Sequence, residues 1–432
     1  MERFYDHGMK FLIDIEELRP VGIMKAMTDA KHKQTKKALL LSNLFSEPLF
    51  TLYNLLVVIL YKDLGASTFQ IALLTMLKPV VAILSFYWSA GLKGRIKKLK
   101  SNLLWAGFFM RAPFLLCPWF DSAWFIIAAA VNYMFFYRAG TPAWLEIIKR
   151  NINGGKREKA FSFSYAVAYL EGVVLALAFG AMLDKDPSLW KYLFPVGSMI
   201  GLFSLISQSR IVVEGEDIVE PRPSWKERIV RPWRDSYRLM RDRPDFSRFQ
   251  WGFMVCGFGL MLIQPALTIF AVDFLGVSCL EMGAAISVAK GLGIALSSPL
   301  WARWSERANL LKMASFIFLA FGLFTVLLSF SIWSIAWFYF AYFWYGVGQG
   351  GSHLVWNMSG PIFSGGEDSS HYTGVNVVLV GIRGAVAPAF GGLLCASLGP
   401  IQVLVIGGIL CFYSGVRLFQ SKFAKDPLSI KG

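Results

Sequence analysis

Between Ala38 and Gln420 the chain alternates long apolar runs with short polar connections. Twelve runs stand out, at 38–61, 68–92, 101–119, 122–146, 160–183, 189–211, 248–272, 280–304, 310–330, 332–356, 372–397 and 400–420. Each holds about 20 residues, enough at ~1.5 Å per residue to cross a ~30 Å hydrocarbon core. The pattern predicts an all-α polytopic membrane protein with twelve transmembrane helices. Residues 1–37 are polar and end in the basic run Lys31, Lys33, Lys36, Lys37. They lack the short apolar core and cleavage site of a removable signal peptide. Within them, Met9 to Arg19 reads either as a short amphipathic helix at the membrane surface or as a solvated tail. The one long polar connection, 212–247, is rich in charge and proline (Pro221, Pro223, Pro232, Pro244) and is expected to carry a surface helix near Trp225 to Met240. It separates two six-helix bundles, 38–211 and 248–420, and a tail follows at 421–432.

Composition agrees: 55% hydrophobic, 16% charged and a mean hydropathy of +0.50 lie outside the range of soluble domains. The five cysteines (Cys117, Cys256, Cys279, Cys395, Cys411) are scattered singly in or beside apolar runs. They read as small core residues, with no disulfide, metal site or cofactor expected. A net charge of +15 would suggest nucleic acid in a soluble protein, but here its distribution matters more. Lys93, Arg95, Lys97, Lys98 and Lys100 follow span two, Lys149, Arg150, Lys156, Arg157 and Lys159 follow span four, and Arg303, Arg307 and Lys312 follow span eight. The opposite side carries only Lys62, Lys185 and Lys191. By the positive-inside rule both termini are cytoplasmic, and no nucleic-acid partner is expected. One loop departs from the rule: after span ten come Glu367 and Asp368, with no lysine or arginine.

The two halves look duplicated at an offset of 211 to 213 residues. Leu64-Gly65 matches Leu275-Gly276, Lys78 matches Lys290, Ser85 matches Ser297, Trp88 matches Trp301 and Trp144 matches Trp356. Gly154-Gly155 matches Gly365-Gly366, Glu171-Gly172 matches Arg383-Gly384, and Ala178-Phe179-Gly180 matches Ala389-Phe390-Gly391. Eight matches in order point to two parallel pseudo-repeats.

Two parallel six-helix halves joined by a basic loop resemble the major facilitator superfamily. That family's loop signature after spans two and eight, roughly G-x-x-x-D-R-x-G-x-R-R, is similar to Ala302-Arg303-Trp304-Ser305-Glu306-Arg307 in the second copy. The first copy keeps Arg95, Lys97 and Lys98 and has Lys93 in place of the acid. Arg138, within Tyr137-Arg138-Ala139-Gly140, resembles the arginine of the proton-coupling motif in span four. Gly384-x-x-x-Pro388-x-x-Gly391-Gly392 in span eleven is similar to the pattern antiporters carry in span five, which has no proline here. The resemblance implies a central cavity lined by spans 1, 4, 7 and 10, with spans 2, 5, 8 and 11 at the interface between halves.

Seven ionisable residues fall near mid-span: Glu47, Lys78, Arg111, Arg138, Glu171, Lys290 and Arg383. At ~3 kcal/mol each, exposure to lipid would cost on the order of 20 kcal/mol, so they must meet one another or a polar cavity. Six fall on spans the resemblance places inside; Arg111 does not and reads as structural. Lys78 and Lys290 are either a symmetric cationic pair facing the cavity or lysines locked to a neighbour. Glu171 and Arg383 are expected to pair across the half interface, as a structural ion pair or as a gate. Arg138 lines the cavity or snorkels. Glu47, followed by Pro48, is a proton-coupling carboxylate or a packing residue. Gln349, His353 and Trp356 share a helix face. With Gln264, Asn43, Asn54 and Asn376 they offer hydrogen bonds to a polar substrate, and His353 is alternatively a satisfied core histidine. The Trp and Tyr residues are read in part as an interfacial belt.

Four inner cations against two carboxylates leave an excess of positive charge. The expected activity is therefore secondary active transport of a small anionic organic solute by alternating access, coupled to H+, by a monomer in a bacterial inner (plasma) membrane. The alternatives are an exporter of hydrophobic or cationic drugs and, in another class, a non-transporting receptor or assembly protein. No catalytic constellation or nucleotide-binding loop is present, so no enzymatic activity is expected.

Overall fold

The structure, a computed structural model, describes the backbone of residues 2–92, 94–217, 225–277, 279–305 and 309–422. These residues are helical, with no strand among them. Thirteen helices among them exceed fifteen residues: α1 (Glu2–Lys62), α2 (Thr68–Leu84), α3 (Ile96–Arg111), α4 (Ala123–Asn151), α5 (Gly154–Lys185), α6 (Trp190–Ser209), α7 (Trp225–Asp242), α8 (Pro244–Leu262), α9 (Lys290–Ser305), α10 (Leu310–Ser329), α11 (Ile335–Phe363), α12 (Ser369–Leu398) and α13 (Pro400–Phe419). With their short continuations, α5, α6, α8, α9, α10, α12 and α13 are long and apolar enough to cross a membrane, which makes seven such helices among the described residues. The other five expected spans coincide with α1 to α4 and α11. Of these, α4 and α11 carry arginine, histidine, glutamine and asparagine.

The polar tail and the first span form one helix, since α1 runs unbroken from Glu2 to Lys62. The side chains of Met9 to Arg19 and of Lys78 lie outside the described residues, as do Lys93, Pro221, Pro223, Glu306, Arg307 and 423–432. The linker helix α7 places Ile229, Val230, Trp233 and Tyr237 along one face. Its Trp233 Nε1 donates to Tyr87 Oη at 2.7 Å and its ring packs edge-on against Phe86, which ties α7 to the short helical turn Phe86–Ser89 that follows α2.

Short turns set the helix ends. Ser67 caps α2 in a capping box: the Gln70 amide donates to Ser67 Oγ (3.3 Å) and the Ser67 amide to Gln70 Oε1 (2.9 Å). Gly65 (φ +55°) and Gly276 (φ +64°) end the first helix of each half in the left-handed region that glycine enters without a Cβ clash. In both turns the next amide reaches back to the helix, Ala66 to Leu60 O (2.8 Å) and Val277 to Ala271 O (2.9 Å).

The apolar cores show how the halves meet. On the side away from the basic loops, Tyr53, Phe114, Tyr133, Trp190 and Phe194 form a core within α1 to α6. Ile263, Phe270, Phe324, Phe338 and Val403 form a separate one within the second half. Toward the basic loops one core spans both halves, joining Leu145, Ile148 and Phe161 to Phe249, Phe318, Met358 and Phe363.

The seam has two faces. On one, α12 packs on α2: a Cβ at Gly374 would meet the Phe86 ring at 2.9 Å, and one at Gly384 would meet Pro79 Cβ at 3.0 Å. On the other, α5 packs on α9, where Ser162 Oγ donates to Ser298 O (2.6 Å) and a Cβ at Gly291 would meet Val173 at 3.2 Å. One step further from the basic side, Gly180 and Gly283 occupy the corresponding register, yet neither has a described atom within 4 Å of a Cβ position. The halves therefore close on the basic side and part on the other.

Candidate functional site

Where the halves begin to part, α4, α5 and α11 bring polar side chains together. The predicted face of α11 forms: His353 Nε2 lies 3.3 Å from Tyr169 Oη on α5 and 3.4 Å from Gln349 Nε2 one turn back. The imidazole sits 5.9 Å, ring to ring, from both Tyr165 and Tyr169. Arg138 of α4 reaches across the seam to lay its guanidinium 5.1 Å over the Trp356 ring, with Tyr137 at 5.7 Å on its own helix. Lys290 at the start of α9 is the other cation nearby, its backbone packed against Gly346, seven residues before His353 on α11. Among the described residues neither Arg138 nor Lys290 has a carboxylate partner. Arg138 Nε, Gln349 Oε1 and Trp356 Nε1 are buried without a hydrogen-bond partner, which a folded protein tolerates chiefly where a ligand or water completes the set.

A second cluster lies beside it. A Cβ at Gly172 would fall 2.4 Å from Glu47 Oε1, so the Glu47 carboxylate rests on the α5 backbone in the space glycine leaves. Glu171 is the adjacent residue, and its Oε2 is buried with no partner. Tyr165, Tyr169 and Tyr133 lie within reach of the Glu47 charge, and Tyr165 is hydrogen-bonded to Tyr137. These tyrosines bridge the acidic pair and His353.

The expected Glu171–Arg383 pair does not form. Arg383 Nη1 donates to Phe253 O at 2.6 Å, its guanidinium lies 4.5 Å over the Phe253 ring, and it fills the space beside Gly257 of α8. The reason is geometric. Since α5 packs on α9 and α12 on α2, Glu171 and Arg383 sit on opposite faces of the seam. Gln264 also stays away from the cluster; it is exposed and donates to Leu260 O one turn back (3.1 Å). Asn376 is consumed within its own half by Gln250 and by Ser359 Oγ (2.6 Å). Arg111 is structural, as expected: it donates to Gly107 O (2.7 Å), Ser46 Oγ (2.7 Å) and Ser204 Oγ (3.3 Å). Lys78 lies on α2 with its side chain outside the described residues.

Sequence reasoning missed the tyrosines, assigning them to an interfacial belt. The signal was there: Tyr133 with Tyr137, and Tyr165 with Tyr169, are spaced four apart and so share a helix face.

The basic side is shut by polar contacts between halves. Glu146 of α4, 1% exposed, takes hydrogen bonds from the Ser369 amide (2.7 Å) and hydroxyl at the start of α12, and pairs with Arg150 (2.6 Å). Lys149 donates to Ser364 Oγ (2.7 Å) and to Glu367 O. Asp368 caps α12 through the Ser370 amide (2.8 Å) and accepts from the Gly94 amide of the other half (2.9 Å). The loop that broke the charge rule is thus the acidic side of this closure. Burial pulls the Lys149 ammonium below its ordinary value, and Glu146 and Asp368 oppose that shift.

A family profile described as Major Facilitator Superfamily matches residues 39–382 and again 252–431. The chain belongs to the Major Facilitator Superfamily. This superfamily member is accordingly an integral multi-pass membrane protein and a secondary transporter of small molecules. Among many similar solved chains is a crystal structure described as the human organic anion transporter MFSD10 (TETRAN), with a TM-score of 0.66 and 13% identity over 90% of this chain and 99% of that one. At that identity the likeness speaks for the fold. No curated protein sequence matches.

Proposed function

We propose that the protein carries a small organic anion across the membrane by alternating access, with H+ as the coupling ion. The observation that carries this reading is Arg138, laid over Trp356 on the His353 helix, with Lys290 on the helix packed against it at Gly346, neither cation having a carboxylate partner among the described residues. Cations placed there favour a negative substrate in a site of low dielectric. Gln349, Trp356 and Tyr169 would hold its polar groups, and the aromatic rings its body. The organic anion transport named for the structurally similar MFSD10 is consistent with this.

Glu47, seated on the α5 backbone at Gly172, and the adjacent Glu171, whose Oε2 is buried without a partner, are the carboxylates that would take up the coupling proton. The architecture we infer is two parallel six-helix repeats, 38–211 and 248–420, with linker 212–247 and tails 1–37 and 421–432. The paired turns at Gly65 and Gly276 support it, as does the separate profile match to 252–431. The offset that carries Lys78 onto Lys290 also carries the Phe86–Gly374 contact onto Ser298 and Ser162, which touch as well. With the basic loops cytoplasmic, the present conformation opens outward. Drug-cation export is the second reading, favoured by the Glu47–Glu171 pair among tyrosines.

The test is flux into proteoliposomes holding the purified protein under an imposed pH gradient, with carboxylates, phosphorylated metabolites and lipophilic cations offered in turn. Anion uptake that collapses with the gradient and is lost in Arg138→Ala and Lys290→Ala is the expected result. Normal uptake by both variants sinks the anion assignment, and indifference to the gradient sinks the coupling.

A further inference from the structure

We propose that a groove between α1 and α6 binds one anionic phospholipid of the basic-side leaflet. The groove has a volume of about 410 Å³, within the range of small-molecule sites. Its α1 wall is Gln34, Lys37, Leu41 and Phe45, spaced three, four and four so that they form one stripe; Phe203 and Ile206 form the apolar part of the α6 wall, and Arg210 its end. The two helices run antiparallel, and Gln34 Nε2 donates to Arg210 O (2.7 Å), which fixes the polar end of one against the polar end of the other. Lys37 and Arg210 therefore crown the groove at the level of the basic loops. Leu41, Phe45, Ile206 and Phe203 continue it toward the membrane centre. From Lys37 to Phe45 the stripe descends about 12 Å at the rise of an α-helix.

This sequence of chemistry, two cations above an apolar channel, matches an anionic headgroup above an acyl chain. Lys37 and Arg210 are exposed, and among the described residues neither has a carboxylate partner. The neighbouring Lys31 is already engaged with Glu214. Phe203 and Ile206 are 58% and 50% exposed, so the wall faces lipid rather than another helix. Behind the groove the helices are held rigidly: Gln208 Nε2 donates to Ser42 Oγ (3.0 Å), and Arg111 bonds both Ser46 and Ser204. The channel is thus preformed, which lowers the ordering cost of binding. The basic side of a membrane protein faces the leaflet in which anionic lipids concentrate, so the crown lies where its ligand is available.

The test uses the full-length protein, delipidated in neutral detergent and titrated with dioleoyl phosphatidylglycerol, with dioleoyl phosphatidylcholine, or with inorganic phosphate, and bound lipid counted by native mass spectrometry. One phosphatidylglycerol should bind roughly 30-fold more tightly than phosphatidylcholine, from two cations near an anionic headgroup. Lys37→Gln with Arg210→Gln should erase the preference while still admitting either lipid. Leu41→Trp should fill the channel and lose both. Lys36→Gln, which changes an exposed cation outside the groove, should change nothing; a loss of preference there would assign it to general surface charge and overturn the site. Equal binding of the two lipids by the unmodified protein, or a preference that survives the double substitution, overturns it too. Displacement of the lipid by millimolar phosphate would make this a phosphate site without an acyl channel and likewise refute the proposal. Each variant is first matched to the parent in thermal unfolding, so a misfolded one is replaced by Arg210→Gln alone, for which half the preference on a logarithmic scale is expected.

Discussion

Replacing Glu146 by Gln should shift the protein away from the conformation closed on the basic side. Glu146 is almost fully buried and receives two hydrogen bonds from Ser369 of the opposite half, while Arg150 supports its charge from one turn away. Hydrogen bonds to a charged group contribute about 1.5–3 kcal/mol, against about 0.5–1.5 kcal/mol for neutral ones. Glutamine keeps the volume and an accepting oxygen, so the change removes about 1–1.5 kcal/mol from each of two bonds, or about 2–3 kcal/mol in all. Only the closed conformation makes these bonds, so the closed-to-open ratio should fall by roughly 30- to 150-fold. A ratio of ~100:1 would become ~3:1 or lower. Spin labels at the exposed residues Lys98 and Lys312, one on each half at the basic side, give the readout. Their distance distribution in nanodiscs should be narrow and short for the parent and should gain a longer population in Glu146→Gln. An unchanged distribution in a variant that remains folded would refute the view that this cluster holds the halves together.

Other outcomes follow from the same geometry. Arg138→Ala should weaken anion binding by roughly 10- to 150-fold through loss of a charged hydrogen bond to the anion, with Arg138→Lys recovering part of it; titration by thermal stabilisation measures both. Charge reversal at both Glu171 and Arg383 should not restore transport lost in the single reversals, because the two lie on opposite faces of the seam; flux in proteoliposomes decides. Gly172→Ala should displace the Glu47 carboxylate, since a Cβ there falls 2.4 Å from Oε1, and should reduce proton-driven uptake more than equilibrium binding of the substrate. His32 on the polar part of α1 has its pKa lowered by burial and then by Lys156 and Lys36, with Asp29 opposing. Its unfolded state therefore holds the proton more readily, and this residue's contribution to stability falls as pH drops through about 6.5. His32→Asn should flatten the decline in melting temperature between pH 7.5 and 5.5, and an unaltered decline would exclude that role.

The legible part of this protein was whatever depends on a sum over many residues. Run length and hydropathy marked the apolar stretches that became long helices, though not the continuation of α1 through the polar residues 2–37. The periodicity of Gln349, His353 and Trp356 placed them on one face, as the structure finds. The offset of the repeat located matching turns at Gly65 and Gly276, because a left-handed exit from a helix leaves its mark on a single residue type. Partnership between side chains was not legible. The matching positions of Glu171 and Arg383 in the sequence, with opposite charge, suggested a pair, but a matching position does not make two residues neighbours. Only the packing of α5 on α9 and of α12 on α2 separates them, and only the approach of α8 gives Arg383 its acceptor at Phe253. The tertiary structure likewise decided which aromatic residues belong to the seam, what the acidic loop at Glu367 and Asp368 is for, and that α1 and α6 leave a channel beneath Lys37 and Arg210. Each of these depends on which helix stands next to which at a few ångströms, and local sequence carries the composition of a helix face without naming the face it will meet.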